Sequence, residues 1–184
     1  TRRSSDLYVG LEKSILKISI DFQEEFYANG CDKVQFLIST NPGEPLKPLE
    51  KIVSGGELSR IMLSLKTVFL DKDKIPSVIF DEIDTGISGR VAQRVAEKMY
   101  LISRGHQVFC VTHLPQIASM SDNHFLVSKN VKDEKTYTNI ECITNKQKQH
   151  EIARMIGGSE ITQLTLKNSM EMVNMALKRK KELI

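Results

Sequence analysis

The sequence predicts an α/β fold with a mostly parallel core sheet flanked by helices and a peripheral β-hairpin. Three observations carry this. Two short, β-rich apolar runs, Ser77–Phe80 and residues 107–111, have the length and composition of buried strands. Apolar residues at helical spacing lie before, between and after them, giving the order helix, strand, helix, strand, helix that builds parallel sheets. Upstream, two segments alternate apolar and polar residues around a turn, the pattern of an antiparallel pair with one wet face.

The elements follow in order. Residues 5–13 are polar and fit a short helix. Leu16, Ile18, Ile20 and Phe22 alternate as a half-buried strand, Asn29-Gly30 marks a turn, and Val34, Phe36 and Ile38 form the antiparallel partner. Pro42, Pro45 and Pro48 exclude regular structure from the next stretch. Ser54 and Glu57 have capping-box spacing, opening a helix that carries Leu58, Ile61, Met62, Leu65 and Val68. After Pro76 comes the first buried strand, then a loop at 82–88. A helix with Val91, Val95, Ala96, Met99 and Ile102 on one face follows, ended by Gly105. Beyond the second buried strand, Pro115 suits the first turn of a short helix. Phe125-Leu126-Val127 and residues 137–143 read as strands around the turn Lys132-Asp133-Glu134-Lys135. Helical stretches near 151–156 and 165–181 close the chain. Residues 1–184 are expected to form one lobe.

Composition excludes several classes. With 40% hydrophobic and 27% charged residues the chain can build a core and is not a disordered tail. A net charge of +3 is too small to argue nucleic-acid binding without a clustered basic surface. The densest basic run, Lys178-Arg179-Lys180-Lys181, reads as a solvated helix end whose charge suits the helix dipole. Cys31, Cys110 and Cys142 lack metal or redox spacing and fit a reducing compartment, with Cys110 as core filler and Cys31 in a turn. There is no apolar run of ~18 residues for a membrane span, nor an opening signal peptide, and the first residue, Thr1, is what a fragment would show.

Four local signals carry chemistry, each with a plain structural alternative. Ser54-Gly55-Gly56-Glu57 places small residues at a helix N-terminus, where free amides and the dipole favour a phosphate; the alternative is a simple cap. Asp81 and Glu82 end a strand at the carboxyl edge of the sheet, where α/β ligands bind. One acid can hold hydrated Mg²⁺ and the other can take a proton from water; the alternative is an acidic turn. Asp84-Thr85-Gly86 follows directly, or is merely a β-to-α loop. His113 ends the second buried strand on the same edge, and a structural histidine is the alternative.

The ordered set SGGELSR, VIFDEIDTGISG and VTHLPQ resembles the signature motif, Walker B, D-loop and switch histidine of ABC-type ATPases, in their SMC branch. The longer string from Phe36 to Gly157 is similar to the RecN family of bacterial DNA-repair ATPases. The resemblance implies the C-terminal lobe of a P-loop-NTPase-like head that binds ATP and Mg²⁺. Asp81 would be the metal ligand, Glu82 would polarise the attacking water and His113 would contact the γ-phosphate. Ser54, Gly55, Gly56 and Glu57 would belong to the cap over ATP held by another head, and Asp84 and Gly86 would line the seam. The implied partners are an N-terminal P-loop lobe of the same protein, a second head in an ATP-dependent homodimer, and DNA through the whole protein; the implied location is cytoplasmic and nucleoid-associated. One departure matters: the chain has no GxxxxGKS/T loop, since Gly157-Gly158 is followed by Ser159-Glu160. In the family that loop lies in the N-terminal lobe, across a long coiled coil, of which residues 1–15 would be the stump. Two other classes remain open: a metal-dependent phosphohydrolase using Asp81, Glu82 and His113, and a non-enzymatic interaction module.

Overall fold

The computed structural model describes residues 10–11, 13–39, 41–51, 54–69 and 75–184. Strands β1 (Ile15–Tyr27) and β2 (Gly30–Ser39) pair antiparallel from Ile15↔Ser39 to Phe22↔Asp32, with a register shift before the Tyr27↔Gly30 closure. Gly30 takes φ +113, so the turn itself is Ala28-Asn29 and Cys31 lies in the strand. The prolines do not exclude regular structure: β3 (Lys47–Pro48) adds to β2 through Ile38↔Lys47 and Leu37↔Pro48. An edge strand tolerates a proline because its outer side needs no donor.

The parallel core is smaller than its predicted layer. Strands β4 (Ser77–Phe80) and β5 (Gln107–Cys110) pair in parallel, Ser77↔Gln107 to Phe80↔Cys110, as a two-stranded sheet. Phe80, Val78, Val108 and Cys110 turn inward onto α2 (Gly89–Ser103) and α3 (Pro115–Ser119). The other face is bare: Ile79 is 73% exposed, and Phe109 and Val111 are exposed beside it. These strands are therefore buried on one face, not both. Beyond them, β6 (His124–Lys132) and β7 (Lys135–Ile143) make a second antiparallel hairpin.

Helix α1 (Gly55–Phe69) buries Ile61 and Leu63, whereas Leu58 and Met62, expected on its inner stripe, are exposed. The side chain of Val68 lies outside the described residues. A helix apolar on more than one stripe has more than one neighbour to satisfy. Leu58 instead lines a groove of ≈ 390 Å³ with Val34, Phe36 and Leu49. Helix α2 packs as its spacing predicts, through Ala92, Val95, Ala96, Met99 and Ile102. It ends on Arg104 in right-handed conformation, so Gly105 is not a left-handed cap. Of the helix expected at 5–13, residues 5–9 and 12 lie outside the described residues; Gly10, at φ +87, is a turn, and Leu11 enters the core.

The closing helices α4 (Asn145–Gly157) and α5 (Gln163–Glu182) are longer than their apolar patterns. Capping boxes at Thr144/Gln147 and Thr162/Thr165 start both. A second apolar cluster of Ala118, Ile152 and Val173 joins them to α3. The basic run of α5 is partly consumed by packing. Arg179 Nε donates to Glu97 at 2.8 Å, and Lys180 Nζ donates to Asp122 at 2.6 Å while lying 5.1 Å from the Tyr100 ring centroid. Nearby, Lys148 Nζ donates to the Ser121 carbonyl at 2.6 Å; burial, then the Lys180 charge, brings it down to about 8. No helix among the described residues is long and apolar enough to cross a membrane.

The β6–β7 turn holds two non-glycine residues, Asp133 at φ 51 and Glu134 at φ 60, in the left-handed region that a two-residue I′ turn demands. Replacing Glu134 by glycine removes a steric cost and loosens the unfolded chain by a smaller amount. Glu134→Gly should therefore stabilise by about 0.5–1 kcal/mol. A urea titration should show a higher midpoint at unchanged slope; an unchanged or lower midpoint means the turn carries no relievable strain.

Candidate functional site at the carboxyl edge of the parallel strands

The backbone leaves β4 after Phe80 and turns through Asp81, Glu82, Ile83, Asp84, Thr85 and Gly86 before α2 begins. Asp81 and Glu82 are exposed, whereas Ile83 is fully buried and pins the loop to the core. Asp81 Oδ1 accepts from the Glu82 amide at 3.0 Å. Glu82 sits at φ 56, uncommon for a residue with a Cβ, and its carbonyl accepts from Thr85 N at 3.1 Å. Gly86 takes φ 74 at the end of the turn.

Asp84 fixes the second half of the edge. It is 3% exposed, its Oδ2 accepts from Thr112 Oγ1 at 2.6 Å and His113 N at 2.9 Å, and His113 Nδ1 lies 3.0 Å from the same oxygen. Thr112 Oγ1 in turn accepts from Leu114 N at 3.0 Å, at the cap of α3. The carboxylate of Asp84 thus faces inward. The His113 side chain is 72% exposed with Nδ1 engaged, so Nε2 is the ring nitrogen left for a ligand.

Helix α1 meets this loop end-on. Ser54 and Glu57 form the reciprocal capping box: Ser54 Oγ accepts from Glu57 N at 3.3 Å, and Glu57 Oε2 accepts from Ser54 N at 3.1 Å. The amides of Gly55 and Gly56 carry no hydrogen bond among the described residues. A Cβ on Gly55 would lie 2.7 Å from Glu82 Oε2, and one on Gly56 would lie 2.8 Å from the Glu82 carbonyl. Part of the need for these glycines is therefore the approach of the acidic loop itself. The structure brings Asp81, Glu82, Asp84, Gly86, His113 and the Ser54–Glu57 turn into one neighbourhood.

Sequence reading missed three residues here. Ser59 Oγ donates to the Asp81 carbonyl at 3.1 Å, Arg60 Nη1 donates to the carbonyls of Ile83 at 3.2 Å and Thr85 at 2.9 Å, and Thr112 holds Asp84. The available signal was a cation in the midst of an apolar helix, a placement that needs an internal partner. Burial holds the Arg60 guanidinium below its ordinary value, opposed by the charge of Glu57. Beneath the edge, Cys110 is half-buried, and burial, then Asp84 and Asp81, pushes its thiol up to about 12.

No group of three or more His, Cys, Asp or Glu among the described residues could hold a metal ion alone. A single outward carboxylate such as Asp81 fits Mg²⁺, which keeps waters and relies on substrate phosphates for other ligands. The free amides at the start of α1 fit a phosphate oxygen.

No family profile matches the chain. Curated relatives do. The chain is 51% identical over 154 residues to the DNA repair protein RecN of Halalkalibacterium halodurans, covering 84% of this chain and 27% of that protein. It is 52% identical over 147 residues to that of Bacillus subtilis (80% and 26%), and 42% over 167 residues to that of Vibrio cholerae (90% and 30%). The chain belongs to the RecN family. It spans about a quarter of the length of these RecN proteins. Among solved structures, the Smc head domain with coiled coil and joint from Pyrococcus yayanosii superposes with TM-score 0.57 at 17% identity, over 81% of this chain and 27% of that one. A chain from work on ATP-driven dimerization and DNA-stimulated activation of SMC ATPases gives TM-score 0.51 at 16% identity, over 86% and 91%. The RecN segment therefore has an SMC-head fold.

Asp84→Ala would strand the Thr112 hydroxyl and the His113 amide, and should cost about 2–4 kcal/mol in chemical denaturation. Asp84→Asn keeps an acceptor and should cost less than half of that. A loss under about 0.5 kcal/mol for the alanine variant would mean that water replaces the clasp.

Proposed function

We propose that this lobe supplies one half of a composite ATP-hydrolysing site in a RecN-type head. The observation that carries the reading is the Asp84 clasp, which sets His113 and the Asp81–Glu82 loop on one edge beside the free amides of α1. Phosphoryl transfer to water asks mainly for positioning and charge neutralisation. Asp81 would hold Mg²⁺, whose charge would offset that of the phosphates. Glu82 would orient and deprotonate the attacking water. His113 Nε2 would donate to a γ-phosphate oxygen. Ser54, Gly55 and Gly56, with Glu57 fixing the cap, would face the γ-phosphate of ATP held by a second head. Asp84 would act from inside, and Gly86 would shape the seam.

Two partners complete the reading. Parallel strands are found with both faces covered, so the bare face of Ile79, Phe109 and Val111 supports an N-terminal P-loop lobe packed against it. The exposed start of α1 supports a second head in an ATP-dependent homodimer. DNA, in double-strand break repair, would be engaged by the whole protein, since Arg179 and Lys180 of the basic run are already paired within the lobe.

The isolated chain, having no phosphate-cradling loop, should release no phosphate from ATP above a Glu82→Gln control. Turnover clearly above that control would favour the self-contained phosphohydrolase. In the complete protein Glu82→Gln should keep ATP binding and lower turnover by ~10²-fold or more; a change within about threefold removes Glu82 as the base.

Ser54→Arg separates cap from signature. Cap loss alone should cost roughly 0.5–2 kcal/mol and affect assembly only through folding. The proposed role requires a folded complete protein that binds ATP yet fails to dimerise with it. Melting temperature, nucleotide binding and light scattering measure the three, and normal dimerisation by a folded variant rejects the signature role.

A further inference from the structure

Arg60 has the burial of a core residue and the charge of a surface one. It is 5% exposed and no carboxylate among the described residues pairs with it. Nη1 spans the Ile83 and Thr85 carbonyls, while Nε is buried without a partner. The Gly10 turn lies over it, since a Cβ there would be 4.0 Å from Nε and 3.0 Å from Val91 Cγ1. A desolvated cation is costly, and it is tolerated where it meets oriented dipoles that water would otherwise serve.

Those dipoles belong to the segment that carries Glu82 and Asp84. One residue earlier, Ser59 holds the Asp81 carbonyl. Three carbonyls of the acidic loop, at positions 81, 83 and 85, are thus tied to two adjacent residues of α1, and the tethered carbonyls alternate with the side chains that do chemistry. Glu82 lies between the tethers in its φ 56 conformation, with its own carbonyl 2.8 Å from where a Cβ on Gly56 would stand. Without these tethers the loop has little reason to hold a left-handed glutamate.

We propose that Arg60 is a positioning residue for hydrolysis: it holds the acidic loop so that the Glu82 carboxylate stays aimed at the attacking water. This rests on the reading of Glu82 as the base. Planar guanidinium geometry is required, because one Nη must reach two carbonyls while the rest of the fork fills a closed space. Lysine keeps the charge and cannot reproduce that fork.

The test is made in the complete protein, with Arg60→Lys, Arg60→Met and the milder Ser59→Ala. ATP affinity and ATP-dependent dimerisation, measured on folded protein, should stay near those of the parent. kcat per assembled dimer should fall about 10- to 100-fold in both Arg60 variants with KM little changed, as small misplacements of a reacting group do. Ser59→Ala should lose a few-fold. Amide hydrogen exchange at Thr85 and Glu82 should quicken in all three, a readout that needs no turnover. If Arg60→Met does not fold, Arg60→Lys and Ser59→Ala carry the test. Parent-like kcat and exchange in folded Arg60→Lys overturn the proposal, as does a drop in stability with kcat per dimer unchanged. Glu82→Gln is run in parallel: if it keeps turnover, the base assignment fails; if it abolishes turnover while the Arg60 variants keep it, only the positioning role fails.

Discussion

One buried carboxylate ties the parallel strands together where they matter. Strands β4 and β5 share four register pairs and then diverge, one into an acidic turn and the other into a short helix. Nothing in strand pairing keeps those exits together. Asp84 does so by accepting from a hydroxyl and an amide of the neighbouring exit through a single oxygen, with the His113 imidazole 3.0 Å from it. Hydrogen bonds to a charged acceptor are the strong kind, and Asp84 itself is buried. The direction of His113, the cap of α3 and the path of the acidic loop follow from it.

Around that clasp the lobe is well filled on one side and open on another. Leu63, Ile83, Ala92 and Val95 are fully enclosed between α1, α2 and the sheet. The outward residues of the same two strands, with Ile18, Ile20 and Phe22 on β1, lie in solvent. Isolated exposed apolar residues mean little, but residues alternating regularly along a strand form a surface. The core thus closes on one side of the two strands and leaves the other side apolar and exposed.

Much of this was legible in the residues. Alternation located β1 and β2, short apolar runs located β4 and β5, and helical spacing located α2, where face and polarity agree. On β1 the expected half-buried face is wrong, since Ile18, Ile20 and Phe22 are exposed. Ser54/Glu57 and Pro115 marked helix starts through chemistry that acts over one turn. What failed was non-local. The α1 stripe was right at Ile61 and Leu65 and wrong at Leu58 and Met62, which are exposed, since the pattern alone cannot set how wide the buried face is. β3 was hidden because proline forbids a donor only where a donor is needed. The acidic edge was readable as a list of residues, but not the inward aim of Asp84 or the tether from Arg60. Those depend on partners 28 and 23 positions away.

The same field that shapes the edge governs its sulfur. Cys110 ends β5 directly beneath the acids, and oxidants, alkylating agents and disulfide partners all react with a thiolate. Burial and the nearby charges of Asp84 and Asp81 keep that sulfur protonated up to about 12. Burial first, and the carboxylates that gather at this edge second, therefore disfavour the reactive thiolate of Cys110, whereas Cys142 lies exposed on β7.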